Sequence, residues 1–172
     1  MAMDVLLVID MQEGFRYKES EKILGKIQNL CKKIHPYCYF SRFKDRENSN
    51  IEKHTRWKKF QKKKAWPLME ELQKFATNDR IVDHYTYTVL TSQMEEIFNK
   101  KNIETVYLAG VYTDVCIIKT AMDLIDHEFR VKVIEDACAS LHGTKSHKQA
   151  INSLKHIIGK ENIINSRATH MQ

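Results

Sequence analysis

The chain has 172 residues, 42% of them apolar, with 2 prolines and 5 glycines. That length suits one domain, taken as residues 1–172, and the composition excludes collagen-like, low-complexity and disordered classes. The 28 basic and 22 acidic side chains leave a net charge of +6, which bears on partners only where the excess is concentrated.

Short apolar runs alternate with segments of helical period, the pattern of βαβ units and so of a parallel sheet covered on both faces. Strands are predicted near residues 4–9, 37–41, 80–83, 104–109, 131–135 and 162–165. Val5 to Ile9 is continuous rather than alternating, as a central strand buried on both faces requires, and it is too short for the apolar region of a signal peptide. Glu19–His35 places Ile23, Ile27, Leu30 and Ile34 on one stripe of an amphipathic helix that Pro36 ends. Phe43–Lys53 is polar and aperiodic, a surface loop near a ligand. Arg56–Trp66 interleaves lysines and an arginine with Trp57, Phe60 and Trp66. Such a run can touch nucleic acid or an acidic partner, but no recognised binding fold accompanies it. A solvated helix face with the aromatics turned inward is the favoured reading, and nucleic acid is not expected. Pro67 suits the first turn of a helix Leu68–Ala76, and further helices are predicted over Thr91–Lys101, Thr113–His127 and Lys145–Ile158. No stretch approaches the roughly 18 apolar residues that span a bilayer, so a cytoplasmic protein without membrane contact is expected.

Cys31, Cys38, Cys116 and Cys138 are therefore expected to be reduced thiols. Cys31, His35 and Cys38 match no common zinc spacing and read as a helix end packing two thiols. Cys138 reads as structural, and His142 and His147 as capping or surface residues.

Ligands of open parallel sheets bind beyond the carboxyl ends of the strands, which singles out Asp10, His84 and the turn Gly110–Cys116. A carboxylate at the tip of a buried strand is poorly solvated and can serve as a base, although a turn or cap aspartate fits Asp10 equally well. With Thr113 as N-cap, Cys116 falls in the first helical turn, where free N–H groups and the helix dipole favour a thiolate. A small buried cysteine packing helix onto sheet is the alternative.

Val8-Ile9-Asp10-Met11-Gln12-Glu13-Gly14-Phe15, Tyr87-Thr88-Val89-Leu90, Leu108 to Cys116, and Val133 to Ser140 resemble, in order, the signature blocks of isochorismatase-like cysteine hydrolases. The resemblance implies a Rossmann-like, three-layer α/β/α sandwich with a six-stranded, mostly parallel sheet. It also implies an Asp–Lys–Cys triad that hydrolyses a C–N bond of a small amide, with no cofactor. On that pattern Asp10 accepts the proton of Cys116, and the thiolate attacks the carbonyl to give a thioester that water cleaves. An oxyanion hole would use the backbone N–H groups of Tyr112 and Cys116, with a non-proline cis bond between Val111 and Tyr112. Phe15, Tyr85, Tyr87 and Tyr112, with Trp57 or Phe43, would line the pocket for a flat or apolar amide. Arg42, Lys44 and Arg46 are either an anion-binding edge or solvated loop charges. Related proteins form dimers or tetramers, so a homodimer or homotetramer is expected, with residues 56–66 available for the interface.

Two departures stand out. His84 occupies the position of the family lysine, where it can act as an imidazolium beside Asp10 or as a neutral base, and a shifted pH optimum or weak activity is predicted. Nicotinamidases of this family carry an Asp-x-His metal motif after the second strand, but here the stretch reads Phe43-Lys44-Asp45-Arg46-Glu47, so no metal is expected and another amidase activity is favoured. Isochorismatases proper lack the cysteine, which argues against vinyl-ether hydrolysis. The alternative function is a small-molecule-binding or interaction protein on the same fold, impaired because His84 replaces lysine.

Overall fold

The computed structural model describes residues 3–169. Six strands form one all-parallel sheet: β1 (Met3–Ile9), β2 (Cys38–Phe43), β3 (Ile81–His84), β4 (Ile103–Val111), β5 (Arg130–Ala139) and β6 (Ile163–Ile164). Their spatial order is β3-β2-β1-β4-β5-β6, so the chain winds outward from β1 on one side and then returns to its other flank. The reversal sits between β1 and β4, and a crevice at their carboxyl ends follows from it.

Alternation along β1 divides the core. Leu6 and Val8 pack with Ile23, Ile27 and Leu30 of α1 (Lys18–Ile34) on one face. Val5, Leu7 and Ile9 meet Met94 and Phe98 of α4 (Ser92–Lys100), Leu124 of α5 (Ile118–Asp126), and Ile151 and Leu154 of α6 (Thr144–Ile157) on the other. Each such buried aliphatic side chain contributes roughly 1.5–3 kcal/mol, which makes the three-layer arrangement the way both faces of the sheet leave water. In α1, Glu19 and Glu21 lie in the first turn and Lys32 and Lys33 in the last, matching the helix dipole. The helix stops at Ile34, as the restriction on the residue before Pro36 demands.

Several boundaries differ from expectation. The helix expected over Leu68–Ala76 shrinks to α3 (Glu70–Gln73), and Pro67 stands outside it. Leu68 instead bridges antiparallel to Gln12, and the Met69 N–H donates to the Met11 carbonyl at 2.9 Å, so tertiary pairing claims the backbone a first helical turn would need. The polar loop is shorter than expected. Phe43 belongs to β2, and α2 (Asn50–Thr55) begins after Ser49, whose hydroxyl accepts from the Glu52 N–H at 3.0 Å. The basic run is no helix; it makes two 3-10 turns, Lys59–Gln61 and Lys63–Ala65. Phe60 is buried and Trp57 and Trp66 are half-buried, while Lys58, Lys59, Lys62, Lys63 and Lys64 face water. Cys31 and Cys38 are packed together, the Cys38 thiol lying 3.9 Å from the Cys31 carbonyl oxygen. Among the described residues no helix is long and apolar enough to cross a membrane.

Candidate active site

At the junction of β1 and β4 the backbones approach closely. Ile9 pairs with Gly110, which has φ +118°, and a Cβ there would sit 2.1 Å from the Ile9 carbonyl oxygen. Only glycine fits, because it has no Cβ and tolerates positive φ. The next residue on β1's side, Asp10, takes φ 55°, a left-handed conformation that aspartate accepts more readily than most residues. Its backbone N–H donates to Ser41 Oγ at 3.1 Å, and the Ser41 hydroxyl donates back to Asp10 Oδ1 at 2.6 Å. Ser41 on β2 thus fixes both the backbone and the carboxylate of Asp10.

His84 ends β3, fully buried, with Phe43 against its ring. Its Nε2 lies 2.7 Å from Asp10 Oδ1 and its Nδ1 lies 2.8 Å from the Thr86 carbonyl oxygen. Both ring nitrogens face oxygen atoms, an arrangement that favours the doubly protonated ring. Burial opposes that charge, but the charge and hydrogen bond of Asp10, with the carbonyl oxygens of Thr86 and Thr88, outweigh it and hold the His84 pKa above the ordinary histidine value.

Cys116 lies in a π-helical turn, Thr113–Ile117, that leads into α5. Thr113 is not the cap; Tyr112 takes that position without a side-chain cap bond, and the Thr113 hydroxyl pairs with His147 Nδ1 at 2.9 Å. The peptide bond between Val111 and Tyr112 is cis. Cys116 is 6% exposed, at the base of a cavity of about 310 Å³. Burial first, and then the negative charge of Asp10, push the Cys116 pKa well above the usual thiol value, while the Tyr112 N–H acts the other way. The low-pKa thiolate expected from the helix-start position is therefore overturned: desolvation and a neighbouring carboxylate exceed what one N–H supplies. Asp10 Oδ2 is buried and has no hydrogen-bond partner.

The cavity is lined by Phe15, Phe43, Trp57, Tyr87, Tyr112 and His142, with Ile51, Thr55 and Val115 beside them. Phe15 stacks on Trp57 at 5.8 Å and meets Tyr112 edge-on at 5.4 Å. Tyr85, expected in this wall, is 51% exposed and does not line it, because the chain turns outward directly after His84. Arg42 and Lys44 form no anion-binding edge; both pair with Asp83 on β3. Arg46 does not line the cavity either.

Three residues that the sequence reading did not use complete the site. Ser41 is one. Gln12, fully buried, donates to the carbonyls of Phe43 at 3.0 Å and Trp66 at 2.8 Å and accepts from the Phe43 N–H at 2.8 Å. His142 is exposed, as expected, and also lines the cavity. A polar side chain two residues after Asp10, in the turn that follows the apolar strand, was the available signal for Gln12; nothing local marked Ser41 or His142.

A metal does not fit. Asp45 is buried with one carboxylate oxygen unpartnered, but Arg46 and Glu47 follow it, and no group of three or more His, Cys, Asp or Glu side chains among the described residues could hold an ion.

Residues 4–161 match the isochorismatase domain family model. The chain belongs to the isochorismatase family. Among its relatives, isochorismatase family protein 2A of Dictyostelium discoideum is 30% identical over 81 residues, covering 46% of this chain and 40% of that protein. A nicotinamidase of Schizosaccharomyces pombe is 33% identical over 82 residues, covering 45% of this chain and 36% of that enzyme. The matched stretch thus spans about two-fifths of these relatives' own length. An isochorismatase-like hydrolase from Alkaliphilus metalliredigens superposes with a TM-score of 0.84 at 20% identity, over 96% of each chain. The isochorismatase family therefore supplies the fold seen here, and hydrolases, a nicotinamidase included, are among its members.

Proposed function

We propose that this isochorismatase-family chain is a cysteine hydrolase that cleaves the C–N bond of a small, flat or apolar amide. The observation that carries the reading is the buried constellation of Asp10 and His84 at the ends of β1 and β3 with Cys116 in the turn after β4, beneath an aromatic cavity. Cys116 rests as a thiol, so Asp10 must take its proton at the moment of attack. Sulfur then bonds to the carbonyl carbon, and the N–H groups of Tyr112 and Cys116 receive the oxyanion. The intermediate collapses by breaking the C–N bond, with Asp10 returning the proton to the departing nitrogen. Water, deprotonated by Asp10, cleaves the thioester and restores the thiol. His84 keeps a positive charge beside Asp10, the part a lysine plays in the family pattern.

A second reading, a binding protein with little turnover, draws on the raised Cys116 pKa and on His84 itself. Ammonia release from a panel of aromatic and aliphatic primary amides separates the two, together with intact-protein mass spectrometry for an acyl adduct. Turnover and an adduct that both vanish in Cys116→Ala support the hydrolase. Binding without turnover in the wild type supports the second reading.

A further inference from the structure

A second cavity, of about 480 Å³, opens beside the basic run and shares no lining residue with the aromatic one. Lys58, Lys59, Lys62 and Lys64 line it, against one carboxylate, Glu13. That carboxylate is already engaged: Arg16 Nε donates to its Oε2 at 2.8 Å, and Arg16 Nη2 and the Glu70 N–H donate to its Oε1 at 2.9 Å and 3.2 Å. Lys58 pairs with Glu52 at 2.9 Å, and Lys59 Nζ reaches the neutral Tyr17 hydroxyl at 2.9 Å. Among the described residues no carboxylate pairs with Lys62 or Lys64.

The backbone keeps these ammonium groups together. Phe60 and Ala65, in the two 3-10 turns that carry the lysines, are buried. A Cβ on Gly14 would collide with the Phe60 ring and lie 2.7 Å from the Ala65 Cβ, so both turns are packed tightly against the Glu13–Phe15 turn. The Trp66 indole N–H, donating to the Phe60 carbonyl at 2.6 Å, ties the end of the run to its middle. Like charges gathered on such a frame repel one another, and an anion seated among them relieves that repulsion as well as adding attraction. The aromatics of the run are turned elsewhere: Trp57 lines the aromatic cavity, Lys44 lies over the Trp66 ring, and Phe60 is buried. The charge therefore surrounds a compact space and comes with no platform for stacking bases, which favours a small, densely charged anion over a nucleic-acid strand.

We infer that the lysine-lined cavity binds an oligophosphate, a short chain of linked phosphate groups from a free polyphosphate or from the phosphate chain of a nucleotide. Lysine serves such a ligand as a point charge, and several lysines around one space match a chain that carries a charge on every phosphate. The site stands apart from the aromatic cavity, so the inference does not depend on the hydrolase reading.

The test is calorimetric titration of the full chain with tripolyphosphate in magnesium-free buffer. At about 0.05 M salt one site should appear with a Kd below about 0.1 mM, weakened at least about threefold at about 0.3 M salt as screening grows. Lys62→Gln combined with Lys64→Gln should weaken binding about tenfold. Lys148→Gln combined with Lys155→Gln, two exposed lysines of α6, changes the net charge equally and should leave binding within about twofold. ATP distinguishes the sources: affinity equal to that of tripolyphosphate assigns the site to the phosphate chain alone, and higher affinity assigns it to a nucleotide. A single-stranded oligothymidylate probes an extended polyanion surface instead. No binding of tripolyphosphate, an equal loss in the α6 variant, or tighter binding of the oligothymidylate than of tripolyphosphate overturns the inference.

Discussion

Replacing Gly110 by alanine puts the strand-junction argument to a quantitative test. The new Cβ would lie 2.1 Å from the Ile9 oxygen and 2.8 Å from the Ile9 nitrogen, where real Cβ contacts stay above 3.0 Å. Both are backbone atoms of the neighbouring strand, so no side chain can swing away and β1 must part from β4 by nearly an ångström. Positive φ costs an alanine about 1–2 kcal/mol, and weakening two ladder hydrogen bonds costs about 1 kcal/mol each. The reduced freedom of the unfolded chain returns at most about 1 kcal/mol. The net loss is about 3 kcal/mol, or a fall in Tm of about 6–12 °C for a chain of this size. Gly143 supplies the control: its φ is +99°, yet nothing lies within 4 Å of a Cβ there. Gly143→Ala carries the same φ penalty and the same unfolded-chain offset without the clash, a net loss of about 0–1 kcal/mol, or a fall of about 0–4 °C. Thermal unfolding followed by circular dichroism reads both. Equal falls for the two variants would refute the claim that close approach of the strands, rather than backbone conformation alone, requires glycine at position 110.

Two further expectations concern the triad. Asp10→Asn removes a charge that raises the Cys116 pKa, so alkylation of Cys116 by iodoacetamide at neutral pH should quicken even as amide turnover disappears. Slower alkylation would mean that Asp10 activates the resting thiol rather than accepting its proton during attack. His84→Gln tests the buried ion pair through pH. The folded-state pKa of His84 is raised, so its contribution is fully present below the unfolded value of about 6.5 and is lost as pH climbs through the folded value. The stability gap between wild type and His84→Gln, about 3 kcal/mol at its widest, should therefore be greatest in mild acid and narrow in alkali. A gap that stays constant from about pH 5.5 to 9.5 would contradict an imidazolium at this site.

The parts of the molecule legible in the sequence were those fixed by local pattern. The apolar run Val5 to Ile9 announced a strand buried on both faces, and the stripe of Ile23, Ile27 and Leu30 announced α1. Asp10, His84 and Cys116 stood out because each follows a strand, and the sheet then brings those strand ends together. What stayed hidden depends on partners far along the chain. Ser41 looks like any strand serine until Asp10, 31 residues away, lies beside it. Leu68 and Met69 have helical neighbours in sequence, but their backbone pairs with Gln12 and Met11. The Cys116 pKa was misjudged because helix position is a local cue, whereas desolvation and the Asp10 charge come from the assembled site. Tyr85 and Tyr87 are both exposed, and nothing in the sequence marked Tyr87 rather than Tyr85 as lining the cavity.

The Gln12 side chain has one more implication. A single carboxamide grips Phe43, where β2 ends, and Trp66, where the basic run ends. Everything between those two points, including Ile51, Thr55 and Trp57 of the pocket wall, is a segment whose two ends are fastened to the same residue at the tip of the central strand. Such a segment behaves as a cassette. Its length and composition can change, and with them the shape of the cavity, without moving Asp10, His84 or Cys116, because none of the three lies on it.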